Sequence, residues 1–362
     1  MTPIPLQELP LRPSTLSLLQ QRGFQTTNEL DNCGGLSNFA AELDVPLPKA
    51  HNVMEEVLGC ISHPLPEILT ATDLYAYHKS NNSNIVTFSQ SIDKLLGGGI
   101  DIGQVTEIAG LPGVGKTQLA MQLCVNTRLP KSFGGVEGQA VYIDAEGSLS
   151  PERLFDMAKS LVGHVQSTAR RKQSAFPSDF TPEQILDSIH IYRVHDEAAQ
   201  TASLYSLPHF LEQQMEHNLP VKLIVIDSIA FHYRSITPTN QNYYMQRTKN
   251  LTKLAAFLGD LATNYKLAVV AINQMTTKVE DGSSRYVPAL GESWAHATTS
   301  RLLLSCNNSE ERTCTLVKSP HRPPGSAKYQ VLGTGIRDLR KLKHTEAEQE
   351  QEVDRNKRLR TN

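Results

Sequence analysis

The chain has 362 residues, a formal net charge of −2 and five cysteines, and its length allows one large domain with a small one beside it. The nearly balanced charge excludes a global positive field that would draw the protein onto nucleic acid, so any DNA contact must come from local loops. The cysteines are odd in number and form no C-x-x-C pair, which argues against a disulfide framework. No apolar run approaches the ~18 residues of a membrane span and the N-terminus has no signal-peptide pattern, so we expect a soluble intracellular protein.

Residues 1–65 predict a small helical domain. Short amphipathic helices are indicated around Pro13–Arg22, across Asn28–Asp44 with an interruption at two glycines, and over Lys49–Ile61. The turn before the last helix loosely resembles a helix-hairpin-helix, a motif that binds phosphate backbones, but Pro48 removes the amide such a hairpin would offer. DNA binding and a docking or packing role both stay open here, and the second is favoured.

Residues 66–84 read as a linker, because Pro64 and Pro66 mark its start and the polar run from His78 to Asn84 ends it. It contains a short apolar patch, Ile68 to Ala71, that a solvated linker does not need.

From residue 85 to 340, apolar strands alternate with helices, which predicts an α/β core with a mostly parallel sheet covered by helices on both faces. Predicted helices separate the strands at Pro151–Ser167, Pro182–Ser188, Ala198–Asn218 and Asn250–Tyr265. Three more strands (301–305, 313–318 and 329–332) are expected to complete one edge in antiparallel fashion. Residues 341–362 carry both signs of charge without a core pattern and predict a disordered tail. The predicted core strands are Val86–Phe88, Val105–Ala109, Gln139–Asp144, His190–Val194, Val221–Asp227 and Leu267–Asn273.

The stretch from Gly110 to Thr117 fits G-x-x-x-x-G-K-[ST], the loop that wraps the phosphates of a nucleotide. Glycines let the backbone curl so that several N–H groups point at an anion, next to the N-terminus of a helix. Lys116 would supply a positive charge for the β- and γ-phosphates, and the Thr117 hydroxyl would take one Mg²⁺ position. An ordinary glycine turn is the alternative, which the flanking strand and helix disfavour. The loop residues between the two ends are Leu111, Pro112, Gly113, Val114 and Gly115.

Polar residues follow three of the predicted strands, at the edge where open α/β sheets place their ligands. Asp227 can hold Mg²⁺ as the partner of the phosphate loop, with a helix N-cap as the alternative. Glu146 can orient and deprotonate a water for in-line attack on the γ-phosphate, unless it is a surface-loop glutamate. The Gln274 amide can bond the γ-phosphate and report its loss to the loop that follows.

Several segments together resemble the RecA family, and more narrowly the eukaryotic strand-exchange recombinases and, within them, the paralogue called C. The resemblance is close over residues 85–340 and loose over 1–65. It rests on the phosphate loop with Gln118, on residues 133–144, 146–148, 151–154 and 223–228, on Asn273 with Gln274, and on residues 275–278, 287–294 and 318–320.

The resemblance implies an ATP-dependent DNA-binding protein of homologous recombination that assembles head to tail, with ATP and Mg²⁺ between subunits and a nuclear location, with the cytoplasm as a second one. By position it assigns phosphate and Mg²⁺ binding to Lys116 and Thr117, water activation to Glu146, metal support to Asp227 and γ-phosphate sensing to Gln274. Arg153 matches a position beside the adenine, where its planar guanidinium could stack. His296 matches a histidine that approaches the phosphates from the neighbouring subunit. An exposed helix arginine and a structural histidine are the respective alternatives.

Two loops match the DNA-contacting loops of these recombinases. The first, from about Phe231 to Lys249, mixes cations with aromatic rings, a combination that suits single strands. The second, from Met275 to about Glu292, has Lys278 and Arg285 opposed by nearby acids, and solvated loops are the alternative for both. The candidate DNA contacts of the first loop are Arg234, Tyr243, Tyr244, Arg247 and Lys249.

The chain departs from the recombinases at two places. Their linker carries a Phe-x-x-Ala plug that docks into the next subunit, and here Ile68 replaces the phenylalanine while Ala71 keeps the alanine. The smaller anchor disfavours long filaments with the main recombinase and suits a pocket on another paralogue. Lys318 stands where the recombinases commonly have an acid, and it could act as a cation on phosphate in the neighbouring subunit's site.

These observations predict a slow DNA-dependent ATP hydrolase that acts in homologous recombination and double-strand-break repair, within a heteromeric complex of recombinase paralogues, on single-stranded or branched DNA. A non-catalytic scaffold that binds ATP to hold recombination partners together is the main alternative. A hexameric helicase or a signalling ATPase on the same core is a weaker one.

Overall fold

The computed structural model describes residues 4–31, 33–62, 70–73, 75, 84–215, 219–234, 241–280, 283–307 and 311–339, with only the backbone described at 31, 61–62, 233–234, 241–246 and 279–280. The chain divides into two compact units, residues 1–81 and 82–362. The division falls inside the predicted linker, most of which, including Ile68, lies outside the described residues, as does the predicted tail 341–362. None of the helices in the described part of the chain has the length and apolar character needed to cross a membrane.

The N-terminal unit is helical, as its sequence predicts. Its fully buried side chains include Leu19, Phe39 and Leu43, and the ring of Phe24 meets that of Phe39 edge to face at 5.7 Å. Pro48 lies in the first turn of the last helix, where a missing N–H leaves no hydrogen bond unmade. The helices are α1 (Pro13–Gln21), α2 (Thr27–Asp31), α3 (Leu36–Leu43) and α4 (Leu47–Ser62), preceded by a 3₁₀ turn at Leu6–Glu8.

The larger unit is built on a nine-stranded sheet in the order β11-β10-β9-β8-β1-β5-β4-β2-β3. The strands β3, β2, β4, β5, β1 and β8 run parallel, and β9, β10 and β11 continue the sheet antiparallel. The mostly parallel core agrees with the prediction, but β8, the first of the three predicted edge strands, runs parallel to β1, and β11 was not predicted. The strands are β1 (Val105–Gly110), β2 (Gln139–Asp144), β3 (Ile189–Arg193), β4 (Val221–Asp227), β5 (Ala268–Asn273), β8 (Ser300–Cys306), β9 (Arg312–Lys318), β10 (Gly325–Leu332) and β11 (Gly335–Asp338).

Helices cover both faces of this sheet, so its central strands are buried on both sides. On one face lie α5 (Gln90–Leu96), α6 (Lys116–Thr127), α7 (Pro151–Lys172) and α8 (Pro182–Asp187). On the other lie α9 (Glu197–Met215), α11 (Gln241–Asn264) and α12 (Gly291–Ala297). Between β4 and α11 is the short helix α10 (Phe231–Arg234).

Three further local predictions were wrong. Residues 86–88 form no strand; Ile85 makes an isolated bridge with Ile100, and the turn-rich segment after it contains α5, which Ser89 caps at its start and Gly97 ends in a left-handed conformation.

The first predicted loop, 231–249, is largely helical, because α11 begins at Gln241. No glycine or proline interrupts residues 241–258, so the apolar pattern that starts at Leu251 extends its helix toward the N-terminus.

The second predicted loop contains an antiparallel hairpin, β6 (Met275–Glu280) and β7 (Ser283–Pro288), followed by α12. An Asp-Gly pair between two β-prone runs is a hairpin signal that explains this outcome.

The buried carboxylate of Asp93, in α5, makes the stability of the core depend on pH. Burial raises the pKa of Asp93 to about 6, although its Oδ1 accepts hydrogen bonds from the Thr87 amide and hydroxyl, at 2.7 and 2.8 Å. Because the folded pKa lies above the unfolded one, the stabilisation from the bound proton is present below about pH 4 and is lost as the pH rises through about 6.

We therefore expect Asp93→Asn, whose amide oxygen keeps both hydrogen bonds, to stabilise the core by on the order of 1 kcal/mol more at pH 8 than at pH 5. Urea unfolding followed by the single tryptophan, Trp294, measures this. Asp156→Asn, at an exposed position of α7, is the control. A gain that is equal at both pH values would contradict the prediction.

Candidate functional site

The glycine-rich loop joins β1 to α6, which begins at Lys116. Gly113 and Gly115 have φ angles of +80° and +102°, a left-handed conformation that favours glycine. A Cβ on Gly110 would lie 2.5 Å from the carbonyl oxygen of Leu304, so only glycine fits between β1 and β8. The loop therefore curls around the start of α6, whose free N–H groups form an anion site.

Lys116 lies inside this loop. Its Nζ donates to the carbonyl oxygens of Gly110 and Leu111, at 2.9 and 3.0 Å. Burial lowers the pKa of Lys116, and the carboxylates of Asp227 and Glu146 act against that shift. The ammonium is thus held in the loop by weak neutral acceptors, which a phosphate group can replace.

Asp227 ends β4 below the loop and is 1% exposed. Its Oδ2 accepts hydrogen bonds from the hydroxyls of Thr117 and Tyr142, each at 2.7 Å. Burial raises the pKa of Asp227, and these two hydrogen bonds act against that rise. Sequence reasoning missed Tyr142; its signal was a polar-tipped ring within the otherwise aliphatic run of β2.

Glu146 faces the loop from the turn after β2. Its Oε1 accepts hydrogen bonds from the Ser228 hydroxyl and the Gln274 amide, both at 2.5 Å. The strand ends that carry these residues are neighbours, since β2, β4 and β5 lie side by side. The structure therefore brings together the predicted strand-end residues and adds Ser228.

The turn that carries Glu146 is held by a buried acid that sequence reasoning left without a role. Asp144 accepts the amides of Gly147 and Ser148 at its Oδ1 (2.7 and 3.2 Å) and the guanidinium of Arg193 at its Oδ2 (2.9 Å). Asp144 and Arg193 are direct partners in the register of β2 and β3.

The loop and the strand ends enclose a cavity of about 380 Å³. A magnesium ion needs few protein ligands, because nucleotide phosphates and water complete its shell. The adjacent Thr117 hydroxyl and Asp227 carboxylate fit that requirement, although no group of three or more His, Cys, Asp or Glu side chains suited to a metal occurs in the described part of the chain. The cavity is lined by Pro112, Gly113, Gly115, Lys116, Thr117, Gln118, Glu146, Asp227, Gln274 and Met275.

Comparison with known proteins agrees with this geometry. The Rad51 family matches residues 78–339, which include the whole cavity. The chain belongs to the Rad51 family. It is 35% identical over 346 residues, 92% of both chains, to the "DNA repair protein RAD51 homolog 3" of Cricetulus griseus, and 40% identical to the protein of that name from Dictyostelium discoideum over 75% of this chain and 70% of the relative. It is 29% identical to the "DNA repair and recombination protein RadA" of Aeropyrum pernix, over 90% and 94% of the two chains.

The RecA-like α/β core and the resemblance to the paralogue called C are thereby confirmed, and the family is one of recombination and repair. The individual site residues stay predictions, and the structure shows where each of them lies.

Arg153 lies at the edge of the site, at the start of α7. Its Nε donates to the Gln118 side chain at 2.7 Å, and its terminal nitrogens donate to the carbonyls of Leu332 and Gly333. The guanidinium thus ties the first turn of α6 to the turn between β10 and β11.

His296 and Lys318 do not line the cavity within this chain. His296 is exposed on α12. The Nζ of Lys318 donates to the carbonyl oxygens of Ala295 and His296, at 2.9 and 3.0 Å, and to that of Thr298. Lys318 therefore caps the C-terminal end of α12, a position that the dipole of a helix favours for a cation.

The candidate DNA residues lie on three elements. Arg234 ends α10, whereas Tyr243, Tyr244, Arg247 and Lys249 belong to α11. Lys249 is exposed and Arg247 is half-buried. On the hairpin, Lys278 and Arg285 are both exposed and directly opposite in register. Of the predicted docking patch, Ala71 is exposed, and Ile68 lies outside the described residues.

The hydrogen bond from Tyr142 to Asp227 predicts a loss of stability when it is removed. Tyr142→Phe deprives a buried carboxylate of one of its two hydroxyl donors, which we expect to lower the free energy of unfolding by about 2 kcal/mol. Urea unfolding followed by Trp294 fluorescence measures the loss. Tyr205→Phe, at a ring 51% exposed on α9, is the matched control, and an equal effect of the two substitutions would contradict the prediction.

Proposed function

We propose that this Rad51-family protein is a Mg²⁺-dependent ATP hydrolase that acts on DNA in homologous recombination and double-strand-break repair. Members of the RecA and Rad51 families are ATPases, which supports the activity. The observation that carries the proposal is the shared contact at Glu146, whose Oε1 accepts from Ser228 and Gln274 at the mouth of the cavity that contains Lys116.

The chain's own residues divide the work of binding. The amides of residues 113–117 and the start of α6 bind the β- and γ-phosphates of ATP, and Lys116 exchanges its two carbonyl acceptors for phosphate oxygens. Thr117 and Asp227 would hold Mg²⁺, which neutralises charge that develops on the phosphates. Tyr142 keeps the Asp227 carboxylate aimed at the loop.

The chemical step needs a water in line with the γ-phosphate. Glu146 is the carboxylate that can orient this water and take its proton. Both of its hydrogen bonds within the described part of the chain are at Oε1, which leaves Oε2 to accept from the water. Ser228 and Gln274 position the carboxylate, and Gln274 would meet the γ-phosphate itself.

Glu146→Gln tests the proposal directly. The amide keeps an oxygen that accepts from Ser228 and Gln274 but cannot take a proton, so we expect ATP hydrolysis at saturating ATP to fall about 100-fold or more. ATP affinity, measured by competition with a fluorescent nucleotide, should stay within about 3-fold of wild type, since an isosteric amide leaves the phosphate loop unchanged.

Glu183→Gln, at an exposed position of α8, is the control and should hydrolyse ATP at the wild-type rate. The competing scaffold function predicts that Glu146→Gln assembles with its partners and supports repair as well as wild type. That result would show that ATP only holds the complex together.

DNA contact is proposed for the hairpin and for α11. Lys278 and Arg285 are exposed, direct cross-strand partners, so the hairpin carries two adjacent cations at its surface. Two adjacent cations suit the phosphates of a DNA strand. Lys249, exposed on α11, adds a cation, and Tyr243 and Tyr244 are the aromatic residues proposed to stack on bases.

The double substitution Lys278→Gln with Arg285→Gln tests the hairpin. If each side chain contacts one phosphate of a single strand, the slope of log affinity against log salt should become shallower by about 1.4, from two contacts of ~0.7 each. Fluorescence anisotropy with an oligothymidine at four salt concentrations measures the slope. Arg170→Gln with Arg171→Gln, at the far end of α7, is the charge-matched control, and an equal change in both variants would contradict a specific contact.

The proposed setting is a nuclear heteromeric complex of recombinase paralogues that also meets the main recombinase. Ala71 would help to dock the linker patch on a neighbour, together with Ile68, and His296 would approach the neighbour's phosphates. For Lys318 to act on ATP in a neighbouring subunit, it must first release the three carbonyls of α12. The exposed position of His296 supports a role between subunits.

A further inference from the structure

A row of polar side chains crosses four adjacent strands on the sheet face that α12 covers. The row is Asn273 on β5, Glu107 on β1, Arg301 on β8 and Lys318 on β9, in the order in which these strands lie. Glu107 and Arg301 are direct partners in the register of β1 and β8, and Arg301 and Lys318 in that of β8 and β9. A bulge after Arg301 brings Lys318 onto this face.

The centre of the row is a buried ion pair. Glu107 is 0% exposed and accepts the Nε of Arg301 at its Oε2 and the Nδ2 of Asn273 at its Oε1, both at 2.6 Å. Burial lowers the pKa of Lys318, the charge of Arg301 lowers it further, and Glu107 acts against both. The four side chains thus form one electrostatic unit.

This unit holds both ends of a single segment, residues 274–298, which contains the β6–β7 hairpin and α12. At one end, Asn273 immediately precedes Gln274, which donates to Glu146 in the cavity. At the other end, Lys318 binds the last carbonyls of α12. The row therefore connects the strand end beside the cavity to the end of α12.

The row also contains buried polar atoms that are not satisfied. Asn273 Oδ1, Arg301 Nη2 and, in α12 above, Trp294 Nε1 have no hydrogen-bond partner among the described residues. Unpaired buried polar atoms are costly and uncommon in native proteins. Two such atoms in the row and a third in the helix above it favour a second arrangement, in which some of these atoms gain partners.

We propose that Glu107 and Arg301 are positioning residues of the nucleotide site that couple the Gln274–Glu146 contact to the position of α12. When the γ-phosphate draws Gln274 away from Glu146, Asn273 shifts against Glu107, and Arg301 and Lys318 transmit the shift to the end of α12. The inference rests on the proposed function, because it requires ATP in the cavity.

The only tryptophan of the chain reports on this movement, because Trp294 is in α12 and is 1% exposed. The proposal predicts that ATPγS with Mg²⁺ changes the Trp294 emission of the wild-type chain, and that the double variant Glu107→Met/Arg301→Met loses the change. Replacing both members of a buried pair by apolar side chains of similar volume is often neutral for stability, whereas a single replacement leaves a buried charge unpaired.

In the double variant we expect the ATP affinity to stay within about 3-fold of wild type and the rate of hydrolysis at saturating ATP to fall at least 10-fold. A lower rate with unchanged affinity indicates that the catalytic groups are no longer positioned, although ATP still binds. Lys328→Gln, which breaks the exposed pair of Lys328 with Glu311 on the same sheet, is the control and should keep the full emission change.

Two outcomes overturn the coupling: an unchanged emission response and rate in a double variant that binds ATP, or a wild-type chain that binds ATP without any change in emission. A wild-type chain that does not bind ATP would instead overturn the proposed function. If the double variant does not fold, Asn273→Ala separates Gln274 from the intact pair, and there an emission response equal to wild type overturns the proposal.

Discussion

The carboxylate of Asp227 is the point on which the site depends. It lies inside the sheet, almost fully buried, with one hydroxyl from the phosphate loop and one from the neighbouring strand on a single oxygen. Burying a charge is costly unless it is hydrogen-bonded, so the strand end, the first turn of α6 and the Tyr142 ring must keep their relative positions. The loop that binds phosphates is thereby fixed to the strand whose acid would hold Mg²⁺.

The order of the strands in the sheet assembles the rest of the site around this carboxylate. The strands β2, β4 and β5 lie next to one another although helices separate them in the chain, and their ends bring Glu146, Ser228 and Gln274 within hydrogen-bond distance. Parallel strands present their carboxyl ends along one edge, which explains why polar residues in three separate segments form one cavity with the glycine loop.

A second polar layer lies on the opposite face of the same sheet. There the buried pair of Glu107 and Arg301 lies beneath α12, and Lys318 caps that helix. The sequence predicted that this lysine acts on phosphate in a neighbouring subunit, and the fold gives it partners within its own chain. Its charge suits the carbonyl end of a helix as well as it suits a phosphate. The two faces are connected through the adjacent residues Asn273 and Gln274.

The sequence by itself determined the features that depend on neighbours in the chain. The glycine loop, the buried strands and the polar residues at their ends follow from local pattern, because period and turn chemistry are local properties. It failed at two runs whose local signals were overlooked: the run after Gln241, which no glycine or proline interrupts, is helical, and the run after Met275, which contains an Asp-Gly pair, forms a hairpin. Only the tertiary structure decided that Tyr142 would serve Asp227, that Asp144 would hold the turn of Glu146, and that Lys318 would cap α12. The contacts of Tyr142 with Asp227, of Asp144 with Arg193 and of Lys318 with α12 join residues that are distant in the chain. The strand order brings these residues together, and strand order cannot be read from local sequence.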